Sequence, residues 1–183
     1  SAPAYTNRCG AKVGLGKSED AIKDCDMATE IDPKNASTYY NRALAKHGLQ
    51  DYQGAIVDYT KTIQINPQYV GAYSNRGVAK DEFEDYQGAI ADYTKAIEID
   101  PQHANAYINR SKVKLNLGDY KGALQDSNKA IEIDPRSAPA YTNRCGAKVG
   151  LGKSEDAIKD CDMATEIDPK NASTYYNRAL AKH

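Results

Sequence analysis

Asparagine recurs at intervals of 34 residues along this chain of 183 residues. An asparagine amide carries both a hydrogen-bond donor and an acceptor, so a row of them can pair with the backbone of an extended polypeptide without reading its side chains. Alternatively, each amide bonds to a neighbouring helix and fixes the packing, and the sequence leaves the two hypotheses open. The members of this asparagine row are Asn7, Asn41, Asn75, Asn109, Asn143 and Asn177.

Arginine and aspartate recur with the same interval. An unpaired guanidinium turned toward a second helix would be costly, so we expect each arginine to pair with an aspartate as a structural ion pair rather than a phosphate site. A lysine follows each arginine by four residues, and we expect its stem to cover apolar surface while its ammonium reaches water. The arginines are Arg8, Arg42, Arg76, Arg110, Arg144 and Arg178, and the aspartates are Asp24, Asp58, Asp92, Asp126 and Asp160.

The four cysteines are Cys9, Cys25, Cys145 and Cys161, which form two copies of one spacing. They form no C-x-x-C pair and have no neighbouring histidine set, so they do not indicate a metal site. A disulfide within each pair is conceivable, but small buried thiols are the expectation for a reduced, intracellular chain. The sequence also lacks a phosphate-binding loop and a nucleophile with a candidate base, so we expect no enzyme and no cofactor.

The charge balance excludes several classes of partner. The chain has 24 basic and 25 acidic side chains, a net charge of -1, and no basic cluster, so neither nucleic acid nor an anionic membrane surface is an expected partner. No segment approaches the roughly 18 apolar residues of a membrane span, and Ser1 begins no leader sequence. We therefore expect an intracellular location, with the cytoplasm as the first candidate.

The chemistry-bearing residues are positioned by a repeat of 34 residues. Asp-Pro or Asn-Pro recurs at this interval, and in the third unit the apolar residues of 86–97 follow a helical period. Pro101 ends that helix, and Gly118 with Asp119 marks the other type of turn, so each unit is predicted to contain two helices. The predicted repeats are 2–35, 36–69, 70–103, 104–137, 138–171 and a partial repeat 172–183.

In this pattern the chain resembles the tetratricopeptide repeat (TPR) family. The third unit carries the family's signature residues at repeat positions 4, 8, 17, 20, 24, 27 and 32, which are Tyr73, Gly77, Tyr86, Ala89, Tyr93, Ala96 and Pro101. The resemblance covers the whole chain and implies an all-α fold, a single α-solenoid over residues 1–183 that forms a right-handed superhelix. The chain departs from the family with tyrosine in place of tryptophan, arginine at position 7 and lysine at position 11.

The resemblance also implies where a ligand would bind. In the family, positions 2, 5, 6, 9, 12 and 13 of the first helix line a concave groove, and some members hold an extended polypeptide with a similar asparagine ladder. Apolar residues outnumber charges at these positions, which favours an extended, mildly apolar peptide, although Tyr40 and Leu44 could instead pack against the adjoining repeat. Besides the asparagine row, the candidate peptide-binding residues are Tyr40, Leu44, His47, Val78, Ile108, Lys112 and Leu115.

A second, longer period is present in the chain. Residues 1–47 and 137–183 are identical at all 47 positions, so His183 repeats His47. The leading hypothesis is a non-catalytic scaffold for protein–protein interaction that binds an extended peptide in its groove. The alternative is a structural or engineered array that associates end to end and has no dedicated ligand.

Overall fold

The computed structural model describes residues 1–182, and His183 lies outside the described residues. These residues form α-helices and no strand, which confirms the all-α class. The helices are α1 (Ala2–Gly14), α2 (Ser18–Ile31), α3 (Ala36–Gly48), α4 (Tyr52–Ile65), α5 (Val70–Glu82), α6 (Tyr86–Ile99), α7 (Ala104–Asn116), α8 (Tyr120–Ile133), α9 (Ala138–Gly150), α10 (Ser154–Ile167) and α11 (Ala172–Ala181). The odd-numbered helices are called A helices below, and the even-numbered ones B helices.

The helix ends lie at the turn residues that the sequence marks. Helix α6 ends at Ile99, two residues before Pro101, because proline cannot continue the hydrogen-bond ladder. Asp119 caps α8, since its Oδ1 accepts the backbone N–H of Gly122 at 2.9 Å. Gly118 closes the preceding turn in the left-handed region, with φ of 77°.

The chain divides into two compact units, Ser1–Ile99 and the residues from Asp100 onward. In the first unit α1 packs on α2, α3 on α4 and α5 on α6, and the pairs are joined by contacts of α2 with α3 and of α4 with α5. In the second unit α7 packs on α8 and α9 on α10, with α8 against α9 and α10 against α11. Each unit is therefore an α-solenoid of stacked helix pairs, as the resemblance implies.

Small side chains let the helices of each pair approach closely. The alanines at positions 20 and 27 of the B helices have no exposed surface, so their small side chains fill the contact without holding the helices apart. These residues are Ala21, Ala28, Ala55, Ala89, Ala96, Ala123, Ala130, Ala157 and Ala164.

One contact between the A and B helices, between repeat positions 8 and 24, is filled differently from repeat to repeat. In the third repeat the ring of Tyr93 lies against Gly77, where an added Cβ would come within 2.7 Å of the ring. In the fourth repeat the hydroxyls of Ser111 and Ser127 share a hydrogen bond of 2.7 Å. The second repeat places a fully buried Tyr59 at this contact.

The first and fifth repeats join these two positions with disulfides. Cys9 bonds to Cys25 and Cys145 bonds to Cys161, and the Cα atoms are 5.5 Å apart in both pairs. The expectation of buried thiols is therefore wrong, although all four cysteines are buried as expected. The stacking of the helices brings positions 8 and 24 within disulfide range, which is about 4.4–6.8 Å between Cα atoms.

Candidate functional site

The asparagine row lies on the A helices, and four of its members bond to the preceding repeat. Asn41, Asn143 and Asn177 donate Nδ2–H to the backbone carbonyl oxygens of Thr6, Ile108 and Thr142, at 3.4, 2.9 and 3.3 Å. Asn75 donates to the hydroxyl of Tyr40 at 2.8 Å. These bonds are the ones that the packing hypothesis requires.

The amide oxygens of these four asparagines remain as acceptors, because within residues 1–182 no hydrogen bond reaches their Oδ1 atoms. The side chains are half-buried, so solvent or a ligand can reach them. At the two other positions of the row, Asn7 is exposed and Asn109 is half-buried. The row therefore combines an inter-repeat contact with a set of oriented acceptors.

A groove of about 620 Å³ lies along the A helices of the second unit. Four of the predicted site residues line it: Lys112, Leu115, Asn143 and Asn177. Val149, Gly146 and Gly150 of the fifth repeat also line it, at the positions that the resemblance implies, together with Tyr176 and Leu180 of α11. Tyr120 lines the groove too, but it begins a B helix at position 17, outside the positions that the family pattern marks. Ile108 is half-buried and does not line this groove.

The predicted residues of the first unit mainly pack against one another. Tyr40 and Leu44 contact the buried cluster of Ala43, Ala55, Tyr59, Ala72 and Ala79, which spans two repeats. The ring of Tyr40 lies 4.8 Å from that of Tyr69, and burial raises the pKa of the Tyr40 hydroxyl. Tyr40 and Leu44 thus pack against the adjoining repeat, which is the alternative to peptide binding that the sequence left open for these two residues.

His47 and Val78 are half-buried in the same unit. The His47 ring packs edge-on against Tyr52 at 5.3 Å, and burial lowers the pKa of the imidazole. A histidine whose pKa is lowered is neutral at pH 7, so it contributes no positive charge to this part of the chain.

The recurring arginines and aspartates form the predicted ion pairs. In each of the five complete repeats the arginine donates from Nε and Nη2 to both carboxylate oxygens of its aspartate, at 2.6 to 2.9 Å. The aspartates are 2 to 4% exposed. Since each guanidinium is already neutralised, this row is a structural device and not an anion site.

The lysines do not behave as expected. The ammonium group of Lys12, Lys46, Lys80, Lys114 and Lys148 reaches the same aspartate as the arginine, at 2.6 to 2.8 Å, instead of lying in water. The ammonium groups contact the aspartates because a buried carboxylate has room for a second donor beside the guanidinium fork. In the first repeat Arg8 lowers the pKa of Asp24 from 3.8 to about 2, with a smaller contribution from Lys12.

The arginines also join adjacent repeats. Arg42 Nη1 donates to Asp26 of the first repeat at 2.7 Å, and Arg76 Nη1 donates to Thr60 of the second at 2.9 Å. Arg144 Nη1 makes the corresponding bond to Asn128 at 3.1 Å. The arginines thus bond both to the aspartate of their own repeat and to a side chain of the preceding repeat.

Among residues 1–182 there is no cluster of histidine, cysteine and acidic side chains that could hold a metal ion. None of the described helices has the length and apolar character of a membrane span. No curated protein has a sequence that matches this chain significantly. Nothing in the described residues or in the comparisons below points to an enzyme.

Several solved structures resemble this chain closely in fold. The structure of YrrB, a TPR protein with an unusual peptide-binding site, is 21% identical, with a TM-score of 0.82 over 98% of this chain and 92% of that one. MamA from Desulfovibrio magneticus RS-1 is 18% identical, with a TM-score of 0.83 over 93% and 97%. The Arabidopsis OM64 TPR domain is 29% identical, with a TM-score of 0.60 over 62% and 95%.

Family models agree with these structural neighbours. A tetratricopeptide repeat model matches residues 36–69 and 70–103, and a second model of the same repeat matches residues 92–125. The matched ranges coincide with the second and third helix pairs and continue into the fourth. The chain belongs to the tetratricopeptide repeat family, whose fold is typical of scaffolds for protein–protein interaction.

Proposed function

We propose that the chain is a non-catalytic scaffold that binds an extended segment of another protein in the groove of its second unit. The observation that carries this proposal is the combination, in one groove of about 620 Å³, of oriented amides with apolar side chains. YrrB, a structural neighbour of this chain, has a peptide-binding site, which supports the proposal.

The asparagines serve both packing and binding in this account. The bond from Asn143 Nδ2 to the carbonyl of Ile108 fixes the orientation of the amide, so its Oδ1 is held toward a ligand at no further entropic cost. A backbone N–H of the bound segment donates to this oxygen. Asn177 offers a second acceptor one repeat later, which suits an extended chain with its regularly spaced N–H groups.

The charges of the groove select among peptides. Lys112 is the single charged residue among those that line it within the described part of the chain. The described residues that line the groove include no carboxylate, so a basic side chain of a bound segment would find no partner there and a basic segment is disfavoured. One lysine is far too little positive charge for nucleic acid, so that partner class is not proposed.

Selection of peptides from a random display library tests this function. We expect enrichment of extended, neutral to acidic sequences with aliphatic residues, and no enrichment of basic ones. The Lys112→Glu variant should weaken binding of a selected acidic peptide by about fivefold, because it places a negative charge in the groove. Binding is measured by fluorescence anisotropy of the labelled peptide.

Lys121→Glu is the matched control, because Lys121 is exposed on α8 and does not line the groove. It changes the net charge by the same amount and should leave affinity nearly unchanged. Failure to enrich any peptide would contradict the function. Equal losses in the two variants would instead indicate that long-range charge, and not the groove, determines binding.

End-to-end association without a dedicated ligand is the alternative proposal. Tyr176 and Leu180 of α11 are 66% and 45% exposed, whereas Tyr40 and Leu44, the same residues in the identical segment, are half-buried beneath the next repeat. A second copy could cover such a face. Sedimentation equilibrium of the chain and of a Tyr176→Ser/Leu180→Ser variant would distinguish this from peptide binding, since only self-association depends on protein concentration.

An intracellular, cytoplasmic location also stays a proposal. The balanced charge and the absence of a metal-type cysteine pattern support it. The two disulfides oppose it, because disulfides persist mainly in oxidising compartments. The redox state of the four cysteines in protein isolated from its native source decides between these observations.

A further inference from the structure

The disulfide of the fifth repeat holds one of the helices that form the groove. Helix α9 contributes Asn143 and Val149 to the groove lining. Cys145 of the same helix bonds to Cys161 of α10. None of the described residues that line the groove belongs to α10. The disulfide therefore fixes a groove-forming helix to a helix that stands outside the groove.

This contact between α9 and α10 has no large side chain to maintain it once the disulfide is reduced. The second and third repeats fill the same contact with the rings of Tyr59 and Tyr93, whereas the fifth repeat has two sulfur atoms there. Cys145 and Cys161 have no exposed surface, and two separate thiols need more room than a bonded pair. Separation of the sulfurs therefore has to move α9 relative to α10.

The remaining contacts keep α9 attached in the reduced state. Arg144 of α9 donates to both carboxylate oxygens of Asp160 at 2.6 and 2.9 Å, and the ammonium group of Lys148 lies 2.6 Å from the same carboxylate. The sulfur of Cys161 also lies 3.2 Å from the carbonyl oxygen of Thr174 in α11, and a thiol, unlike a disulfide, has a hydrogen to donate to it. Reduction therefore displaces α9 and does not release it.

We propose that the Cys145–Cys161 disulfide is a redox switch for peptide binding, in which the oxidised pair holds the groove in its binding arrangement and reduction weakens binding. The proposal rests on the proposed function and adds its regulation. Two electrons and two protons from a dithiol break the S–S bond and form two S–H bonds, and the dithiol becomes a disulfide. Displacement of α9 weakens the bond of 2.9 Å from Asn143 to the carbonyl of Ile108, which orients the amide for the segment.

Binding and reduction oppose each other by thermodynamic linkage. A reductant reaches a buried disulfide only when α9 and α10 separate locally. A segment that binds the oxidised arrangement more tightly favours the disulfide by the same factor by which reduction weakens its binding. The bound segment should therefore protect the Cys145–Cys161 pair from reduction.

The chain contains a matched control disulfide in its first repeat. Cys9 and Cys25 have the same Cα separation of 5.5 Å and the same flanking sequence, because residues 1–47 and 137–183 are identical. None of the described residues that line the groove lies in α1 or α2. Since identical flanking sequences make the two pairs indistinguishable in a peptide map, each pair is isolated by replacing the other with serine.

The experiment compares two variants of the full chain, each with one disulfide. Cys9→Ser/Cys25→Ser retains the fifth-repeat pair, and Cys145→Ser/Cys161→Ser retains the first-repeat pair. Fluorescence anisotropy measures the affinity of a peptide selected on the oxidised wild-type chain, before and after addition of dithiothreitol. We expect reduction to weaken binding at least about fivefold in the first variant. The second variant should bind with the weaker affinity under both conditions.

Equal affinity before and after reduction in Cys9→Ser/Cys25→Ser would overturn the redox switch, and so would equal sensitivity of the two variants. A disulfide with only a structural role would change stability in both variants and affinity in neither. Loss of helix on reduction, measured by circular dichroism, would assign the effect to unfolding and also overturn the displacement of α9.

The thiol–disulfide equilibrium in a glutathione buffer is a second measurement that does not depend on the affinity of the reduced chain. A saturating concentration of the peptide should raise the ratio of oxidised to reduced Cys145–Cys161 at least about fivefold and leave the ratio for Cys9–Cys25 unchanged. An unchanged ratio for both pairs would overturn the redox switch alone. Failure of the oxidised chain to bind any library peptide would overturn the scaffold function as well.

Discussion

Asn143 donates its amide hydrogen to the backbone carbonyl of Ile108 over 2.9 Å and so joins the fifth repeat to the fourth. A residue type whose spacing suggests peptide binding thus has a partner within the protein. The same bond uses only the Nδ2 group of a side chain that lines the groove, and no donor among the described residues bonds to its Oδ1. Packing and binding are therefore not exclusive functions of this row, because an amide has more hydrogen-bonding groups than the inter-repeat contact uses.

Asn143→Ala should lower the free energy of unfolding by about 1 kcal/mol, since it removes a half-buried hydrogen bond and leaves a carbonyl without its donor. Asn7→Ala is the control, because Asn7 is exposed and its amide makes no hydrogen bond among the described residues. Urea denaturation measures both. Equal stability of the two variants would show that the inter-repeat bond contributes nothing.

Asp92→Ala should destabilise the chain by about 3 kcal/mol, because it leaves two partly buried cations without their carboxylate. Arg76 and Lys80 both bond to Asp92, at 2.6 and 2.8 Å. The comparison is Glu98→Gln, which breaks an exposed pair with Lys95 and should have little effect. A loss as small as that of Glu98→Gln would contradict the role assigned to the ion-pair network.

Stability should decrease in acid through Asp24. The pKa of Asp24 in the folded chain is about 2, below the ordinary 3.8. The charged carboxylate therefore stabilises the fold fully at pH values above 3.8, and this contribution is lost as the pH falls toward 2. In Asp24→Asn the contribution is absent at every pH. Urea denaturation measures the difference in stability between wild type and variant, which should therefore shrink between pH 4 and pH 2. A constant difference would contradict the contribution assigned to Asp24.

Reduction of the disulfides should destabilise the first and fifth repeats. Each disulfide joins residues 16 positions apart, and closing a loop of this size in the unfolded chain contributes about 3 kcal/mol. Hydrogen exchange in α2 and α10 should accelerate on addition of a reductant, while exchange in α6 should change little. Detection of four free thiols in the unfolded, unreduced protein would restore the expectation of buried thiols.

Glu84→Gly should stabilise the chain by roughly 0.5–1 kcal/mol. Glu84 has φ of 62° at the turn between α5 and α6, whereas the first, fourth and fifth repeats place Gly16, Gly118 and Gly152 at the corresponding turn. Glycine removes the clash of Cβ in the left-handed region. Glu82→Gly, in the last turn of α5, is the control and should destabilise, so an opposite ranking of the two melting temperatures would count against this account.

The repeat period predicts most of the fold because its signals are local. Proline at 101, Gly118 and Asp119 act on their own neighbours, and the helices end or begin beside them. The arginine–aspartate pairs are predictable for a similar reason, since a buried guanidinium requires a partner. A buried carboxylate also requires donors for both of its oxygens. By that argument the sequence could have predicted Lys114 as the second donor to Asp126.

Other features depend on how repeats meet and are not visible in one unit. The role of Tyr120 depends on Gly150 of the next repeat, and neither residue alone suggests a groove wall. Whether Cys9 and Cys25 pair depends on the approach of two helices and on the compartment, which a spacing does not specify. Tyr40 lies at a groove position but packs on Tyr69, because the following repeat covers it.

The most direct measurement of the central claim is photo-crosslinking of a selected peptide in which a photoreactive residue replaces one of its aliphatic residues. Mass spectrometry then locates the attachment site on the full chain. The account predicts attachment to the A helices of the second unit, at Leu115, Val149 or neighbouring residues of the groove. Attachment mainly to the exposed faces of the B helices α8 and α10 would contradict it.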